Sequence, residues 1–326
     1  MKYFKTFAVV LLAVFGVGVV ACAAPDKTKT VGADAGTETA APVHPGKKNV
    51  KAGRKSALSE VGNPTRQVVY KIIGDRKLEL HIFEPAGFKA TDHRTCFVAI
   101  HGGGWVGGTV ESFYPFAAHF AKLGCVGISV EYRLIAKGKD HTNTNTVFDC
   151  VRDGRSAIRY IRQHAAELGI DPQKIIVSGG SAGGHVAAST ALCNGIDEAG
   201  DDLKISCVPN ALVLYFPVID TSTEGYGNAK CGEHWQELSP LLRVKPGLPP
   251  TLILHGTADT TCPFKGAKAF AEAMQKAGNR CELVVHEGGK HGYLMPNIGG
   301  PEVFAAAMKQ TEDFLISLKL IERLAK

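Results

Sequence analysis

Short apolar runs rich in Val, Ile and Leu recur from residue 67 to the end of the chain. Longer stretches with apolar residues three and four apart separate them. Gln67–Ile73 and Leu78–Phe83 flank Gly74-Asp75, which predicts two antiparallel strands joined by a tight turn. Cys96–Ile100, Val126–Val130, Ile175–Val177, Ala211–Phe216, Thr251–His255 and Cys281–His286 predict further strands. Several are apolar at successive positions, as strands covered on both faces are. Helices are predicted at Phe113–Leu123, Val147–Leu168, Val186–Leu192, Phe264–Ala277 and Pro301–Leu320. In the second of these, Ala157, Ile158, Ile161 and Ala165 fall at helical spacing. Strands and helices alternate, so the expected fold is α/β, with a mostly parallel central sheet and helices on both faces. Residues 217–249 follow neither period, and no internal repeat is visible.

The first 65 residues read differently. Lys2 and Lys5 precede an apolar stretch from Phe7 to Val20, too short for a confident transmembrane span. It ends Val19-Val20-Ala21-Cys22, which resembles a bacterial lipobox. The resemblance implies a signal peptide over residues 1–21, cleavage before Cys22 and lipidation of the Cys22 thiol. Ala23 after the cysteine, rather than Asp, leans to the outer membrane. The expected location is therefore extracytoplasmic, on a lipid anchor in a bacterial membrane. An ordinary leader would instead give a secreted or periplasmic protein. Residues 22–65 are rich in Ala, Thr, Gly, Lys and Pro without apolar periodicity, which predicts a disordered tether. The globular domain is expected over residues 66–326.

Charge narrows the partners. The formal net charge is +6, but the leader holds two lysines and no acid, and residues 23–65 hold seven Lys/Arg against four Asp/Glu. The globular part is thus nearly neutral and offers no basic face for nucleic acid. Nine cysteines occur, eight of them after Cys22. An even number in an oxidising compartment makes one or more disulfides an expectation. Cys207, Cys231 and Cys262 lie in loop-like sequence and are the better bridge candidates, while Cys96, Cys125 and Cys150 suit buried thiols. No C-x-x-C or Cys/His spacing points to a metal.

Candidate chemistry centres on Gly179-Gly180-Ser181-Ala182-Gly183-Gly184, which follows the strand at Ile175–Val177 and opens a helix. A glycine-rich phosphate loop or a plain tight turn would also fit the glycines alone. A serine on a sharp strand-to-helix turn needs small neighbours, and Gly179 and Gly183 supply the room. His101-Gly102-Gly103-Gly104-Trp105 follows the strand at Cys96–Ile100. A glycine run lets backbone N–H groups approach an oxygen that becomes an anion, and the expected donors are those of Gly103, Gly104 and Ala182. His101 is expected to brace this loop. Asp259, just past the strand at Thr251–His255, is placed to orient an imidazole, although a turn or helix cap is the commoner use of a loop aspartate. His286 and His291 follow the last strand. His291 lies in a glycine-bearing loop that can reach back to Ser181, so it is the expected base, while His286 packs. His185, one helical turn after Ser181, is expected to line or support the site, and His255 to be structural or exposed.

With these residues placed, the chain resembles the α/β-hydrolase superfamily over roughly residues 65–325. Within it, the chain is similar to the hormone-sensitive-lipase-like bacterial esterases, and specifically to the group acting on acetyl or feruloyl esters of plant polysaccharides. His101–Gly104, Gly179–Gly183, Asp259 and His291 match the family's motifs, and Tyr132-Arg133-Leu134 and Gly169-Ile-Asp-Pro172 are similar too. The chain departs from it in having no long N-terminal cap helix, which implies an open site with a minimal cap. It also has Thr261-Cys262 where a valine often precedes the proline.

The resemblance implies a Ser181–His291–Asp259 triad, an acyl-enzyme, and no metal or cofactor. The implied substrate is a carbohydrate ester bearing a short or aromatic acyl group, with Trp105, Tyr226 and Trp235 as sugar-stacking faces or as core aromatics. The alternatives are a general short-chain carboxylesterase on small alkyl or aryl esters, a serine peptidase of the same fold, and a non-catalytic surface binding protein.

Overall fold

A computed structural model of the protein describes residues 62–136 and 143–323. The expected signal peptide, Cys22 and nearly all of the expected tether lie outside the described residues. Eight strands follow one another in the chain: β1 (Arg66–Ile73), β2 (Arg76–Phe83), β3 (Arg94–Ile100), β4 (Val126–Val130), β5 (Ile170–Gly180), β6 (Ala211–Tyr215), β7 (Thr251–Gly256) and β8 (Cys281–His286). They form one sheet in the order β1-β2-β4-β3-β5-β6-β7-β8. The hairpin β1–β2 is antiparallel and joins β4 antiparallel, and every later pairing is parallel. The α/β expectation therefore holds, and the parallel strands end on a common edge.

Helices α1 (Tyr114–Lys122), α2 (Val147–Gln163), α3 (Ala182–Leu192), α4 (Asn228–Cys231), α5 (Phe264–Lys276) and α6 (Pro301–Ser317) cover the sheet. Two apolar layers result. Phe116 and Phe120 of α1 and Phe314 and Leu315 of α6 pack on one face, and Val151, Ile158, Val186 and Phe270 of α2, α3 and α5 on the other. Strands β4 and β6 are buried at every position; β6 is apolar throughout, and in β4 the hydroxyl of Ser129 is satisfied by the Val110 carbonyl at 2.8 Å. No helix among the described residues is long and apolar enough to cross a membrane.

The elements differ from the sequence pattern in three places. Helix α2 stops at Gln163 rather than Leu168, because a turn ending at Gly169 (φ 64°) feeds directly into β5. Ala165 is still buried, so its apolar spacing reflects core packing in a turn. Helix α3 starts at Ala182 rather than Val186, and takes in Gly183 and Gly184 despite their poor helix propensity. Burial of the whole helix compensates. Finally, Cys96, Cys125, Cys150, Cys193, Cys207, Cys231, Cys262 and Cys281 are free and buried. The expected disulfides are absent among the described residues. Cys207 and Cys262 sit in irregular segments and Cys231 ends the short helix α4, but all three pack back onto the core and are only 3%, 3% and 6% exposed.

Candidate active site

Ser181 joins β5 to α3 with φ 55° and ψ −122°, a left-sided conformation that costs an ordinary side chain on the order of 1–3 kcal/mol. Hydrogen bonds hold it there: its N–H donates to the Tyr215 carbonyl at 3.0 Å, and its own carbonyl accepts from Val218 N–H at 3.0 Å. The turn closes only on glycine. A Cβ on Gly179 would lie 2.3 Å from the Gly183 carbonyl oxygen, and one on Gly183 2.2 Å from that of Ile100. The steric reading of the motif is correct in both respects.

Register brings the other groups to the same edge. β3 pairs Ile100 with Gly179 of β5, so the loop from His101 begins beside Ser181. β7 and β8 end together, with Gly256 opposite His286, and their loops carry Asp259 and His291. His291 Nε2 lies 2.9 Å from Ser181 Oγ, and His291 Nδ1 2.8 Å from Asp259 Oδ2. A carboxylate only accepts, so Nδ1 carries the proton and Nε2 accepts from the serine hydroxyl. Asp259 is buried, and Oδ1 accepts from the N–H groups of Thr261 and Cys262 at 2.9 and 2.8 Å. Burial opposes ionisation of Asp259. Hydrogen bonds from His255, His291 and Cys262 outweigh it and hold the carboxyl far below the usual carboxylate range.

Gly102, Gly103, Gly104, Ser181 and His291 line one cleft of about 390 Å³. Gly103 (φ 121°) and Gly104 (φ 62°) adopt backbone angles that favour glycine. The Gly103 carbonyl is turned away from the serine and accepts from Val106 and Gly107, at 3.2 and 3.1 Å. Ala182 is the first residue of α3, where backbone N–H groups have no partner within the helix and the positive end of the dipole lies. The three expected oxyanion donors thus belong to elements that converge on Ser181.

His101 braces this loop: Nδ1–H donates to the Gly102 carbonyl at 2.8 Å, and its own carbonyl accepts from the Tyr132 hydroxyl at 2.9 Å. Burial pushes its pKa down to about 4, so it is neutral at ordinary pH. His185 is fully buried, donates from Nε2 to the Leu238 carbonyl at 2.7 Å, and is likewise pushed to about 4 by burial. It packs edge-on against Trp105, 5.1 Å away.

Trp105 corrects one expectation. It is 0% exposed and cannot offer a sugar-stacking face, because residues 217–249 fold over it and Gly227 packs on its ring. Trp235 is half-buried against the core. Of the three aromatics, only Tyr226 lines the cleft.

The sequence reading missed several residues. Phe216 (φ 37°) follows β6 and meets the His291 ring edge-on at 5.2 Å. Phe216, Phe113, Met295 and Ile298 form the apolar wall of the cleft. Lys230 donates to the Gly104 carbonyl at 3.2 Å and to the Tyr226 hydroxyl at 2.9 Å. His255 approaches Asp259 with Nε2 3.3 Å from Oδ2. The spacing His255-Gly-x-x-Asp259 at a strand end was the available signal for this last contact. In the loop that departs from the family, the Cys262 thiol is buried beside Ser181. Burial and the Asp259 charge push its pKa well up, so it stays protonated.

A parallel sheet whose strand ends carry a strained serine, an imidazole and a buried carboxylate defines a hydrolase of the α/β type. Comparison with known proteins agrees. Residues 80–226 match the BD-FAE family model, and residues 225–302 a model described as TAP-like protein. The apo form of Thermogutta terrifontis esterase 2 is 41% identical, with a TM-score of 0.74, over 79% of this chain and 96% of that one. The chain belongs to this family of α/β-hydrolase carboxylic ester hydrolases. It is also 26% identical to the probable carboxylic ester hydrolase LipM of Mycobacterium tuberculosis, over 56% of this chain and 45% of LipM. A probable isoprenylcysteine alpha-carbonyl methylesterase of Arabidopsis thaliana is 25% identical over 69% of this chain and 50% of its own length. The chain spans about half the length of the curated relatives it matches.

Proposed function

We propose that the protein hydrolyses carboxylic esters of short acyl groups, with Ser181 as nucleophile, His291 as general base and acid, and Asp259 as the group that orients His291. The observation that carries this is the chain of two hydrogen bonds from Ser181 through His291 to Asp259, at 2.9 and 2.8 Å. In the first half-reaction His291 Nε2 takes the serine proton while Oγ attacks the ester carbonyl. The developing oxyanion is received by the N–H groups of Gly103, Gly104 and Ala182, and the alcohol leaves with the proton from His291. Water repeats the sequence on the acyl-enzyme and releases the acid. Support for a short acyl group comes from the cleft size and from the propionate-bound and butyrate-bound structures of Thermogutta terrifontis esterase 2.

The alcohol has two readings. The apolar wall of Phe113, Phe216, Met295 and Ile298 suits small alkyl or aryl alcohols. A carbohydrate alcohol, as in the hormone-sensitive-lipase-like carbohydrate esterases, is favoured by Tyr226 on the cleft. Initial rates on p-nitrophenyl acetate, butyrate and octanoate, acetylated xylan and a feruloylated sugar separate the two. Ser181→Ala is expected to lower every rate about a thousandfold or more. A Ser181-independent rate, or none on any ester, defeats the proposal.

We further propose that a lipid on Cys22 holds the protein at a bacterial membrane, facing outward. The lipobox-like end of the apolar leader supports this. Cys22→Ser is expected to move the protein from the membrane to the soluble fraction, and unchanged fractionation would refute the anchor.

A further inference from the structure

His255 is one of the most deeply buried polar residues of the molecule, and the reaction as written leaves it unused. It is the penultimate residue of β7, fully buried, with Phe264 edge-on at 6.0 Å. Its Nε2 faces two acceptors, the Cys262 carbonyl at 2.9 Å and Asp259 Oδ2 at 3.3 Å. Neither can donate, so Nε2 carries the proton. Nδ1 is buried with no partner among the described residues. An unpaired buried polar atom is destabilising, and an apolar residue here would avoid that cost. The shared acceptor is the same Oδ2 that receives His291 Nδ1–H.

We propose that His255 is a positioning residue, a second imidazole that acts on the reaction through Asp259; this rests on the serine-esterase reading above. Oδ1 is fixed by two backbone N–H groups of its own loop, while Oδ2 faces two imidazoles, His291 of the catalytic loop at 2.8 Å and His255 of a rigid strand in a longer contact at 3.3 Å. The strand-borne donor aims Oδ2 at His291. It also takes up part of the oxygen's accepting capacity, so Asp259 orients His291 without over-stabilising its charged form. The other titratable groups facing Asp259 are the Cys262 thiol and the Tyr293 phenol. Burial, with the Asp259 charge, raises both and keeps them neutral.

The test compares His255→Phe, which keeps a planar ring without a donor, with His255→Gln, whose amide can reach the Nε2 position. Both are assayed on p-nitrophenyl acetate per folded molecule. His255→Phe is expected to lower kcat about ten- to a hundredfold with KM little changed. The acid limb of its kcat/KM profile should rise by about half a pH unit, because an undamped Oδ2 holds the proton on His291 more tightly. His255→Gln should recover most of the rate and return the limb toward the wild-type position. Wild-type kcat and acid limb in His255→Phe, or equal loss in both variants, overturns the proposal while leaving the esterase reading intact. If His255→Phe does not fold, a displaced acid limb in His255→Gln overturns it. Insensitivity of the wild-type rate to Ser181→Ala, or no wild-type rate on any ester, would count instead against the underlying reading.

Discussion

Two buried histidines near the Ser181 turn have no titrating role in turnover, yet they contribute to how the protein responds to acid. His101 and His185 are both buried, neutral and pushed down to about 4, against about 6.5 in an unfolded chain. Between these two values the unfolded state binds protons that the folded state refuses. Their contribution is therefore complete above about pH 6.5, shrinks as pH falls, and is gone below about 4. Each histidine represents about 3 kcal/mol over the full window. The melting temperature is expected to fall from pH 7 to about 4.5, before Asp259 begins to protonate. His185→Gln, which keeps a donor for the Leu238 carbonyl, should fall less steeply; equal slopes would remove His185 from this account. At this scale the sequence was most legible where steric need and chemistry coincide, as at Ser181 and its glycines. Trp105 and Phe216 were illegible because burial and a positive φ depend on what folds over them. Nothing in the local pattern around Trp105 announces that Gly227 will lie on its ring.

Among the elements, the strands were read closely and the irregular segments were not. Strand β4 was recovered residue for residue, because Val126, Ile128 and Val130 with the small Gly127 and Ser129 between them suit a strand covered on both faces. Residues 217–249 carry no period and still shape the cleft through Tyr226 and Lys230. A second feature that the pattern hid is the charged cluster joining β1, the segment after β4 and α2. Asp153 of α2 is buried and accepts from Lys71 Nζ at 2.7 Å and from Arg133 Nε and Nη2, both at 2.8 Å. Glu198 meets the same two cations at 2.6 Å each. Burial disfavours the charge on Arg133, but Asp153, Asp149 and Glu198 outweigh it and raise its pKa. Removing the fully buried member of such a set leaves Lys71 and Arg133 to share Glu198, with Asp149 beside Arg133, at a cost of up to about 3–5 kcal/mol. Asp153→Asn is accordingly expected to lose stability of that size in urea unfolding. Any active fraction should keep wild-type KM, since the cluster lies outside the cleft. A loss below about 1 kcal/mol would mean that solvent reaches these charges.

At the scale of the whole molecule, alternation of strand and helix was enough to give the fold class. That Ser181, His291 and Asp259 would meet was inferable because an α/β sheet puts its strand ends together. Disulfides were misjudged because an even count of cysteines says nothing about where loops fold. Eight buried thiols instead predict a melting temperature unmoved by reductant. A chain of residues 62–326 is expected to react with eight equivalents of a thiol reagent only after denaturation. Fewer than eight, or a reductant-sensitive transition, would restore a bridge. The strand order has one more consequence, for the time at which function arises. Gly103 leaves β3, Ser181 leaves β5, Asp259 leaves β7 and His291 leaves β8, so the groups of one cleft lie far apart in the chain. Contacts of such long sequence separation are the slow steps of folding. On the roles proposed for Ser181 and His291, the serine meets its base only once β8 is in place, so a chain in which that strand has not docked is expected to be inert toward esters.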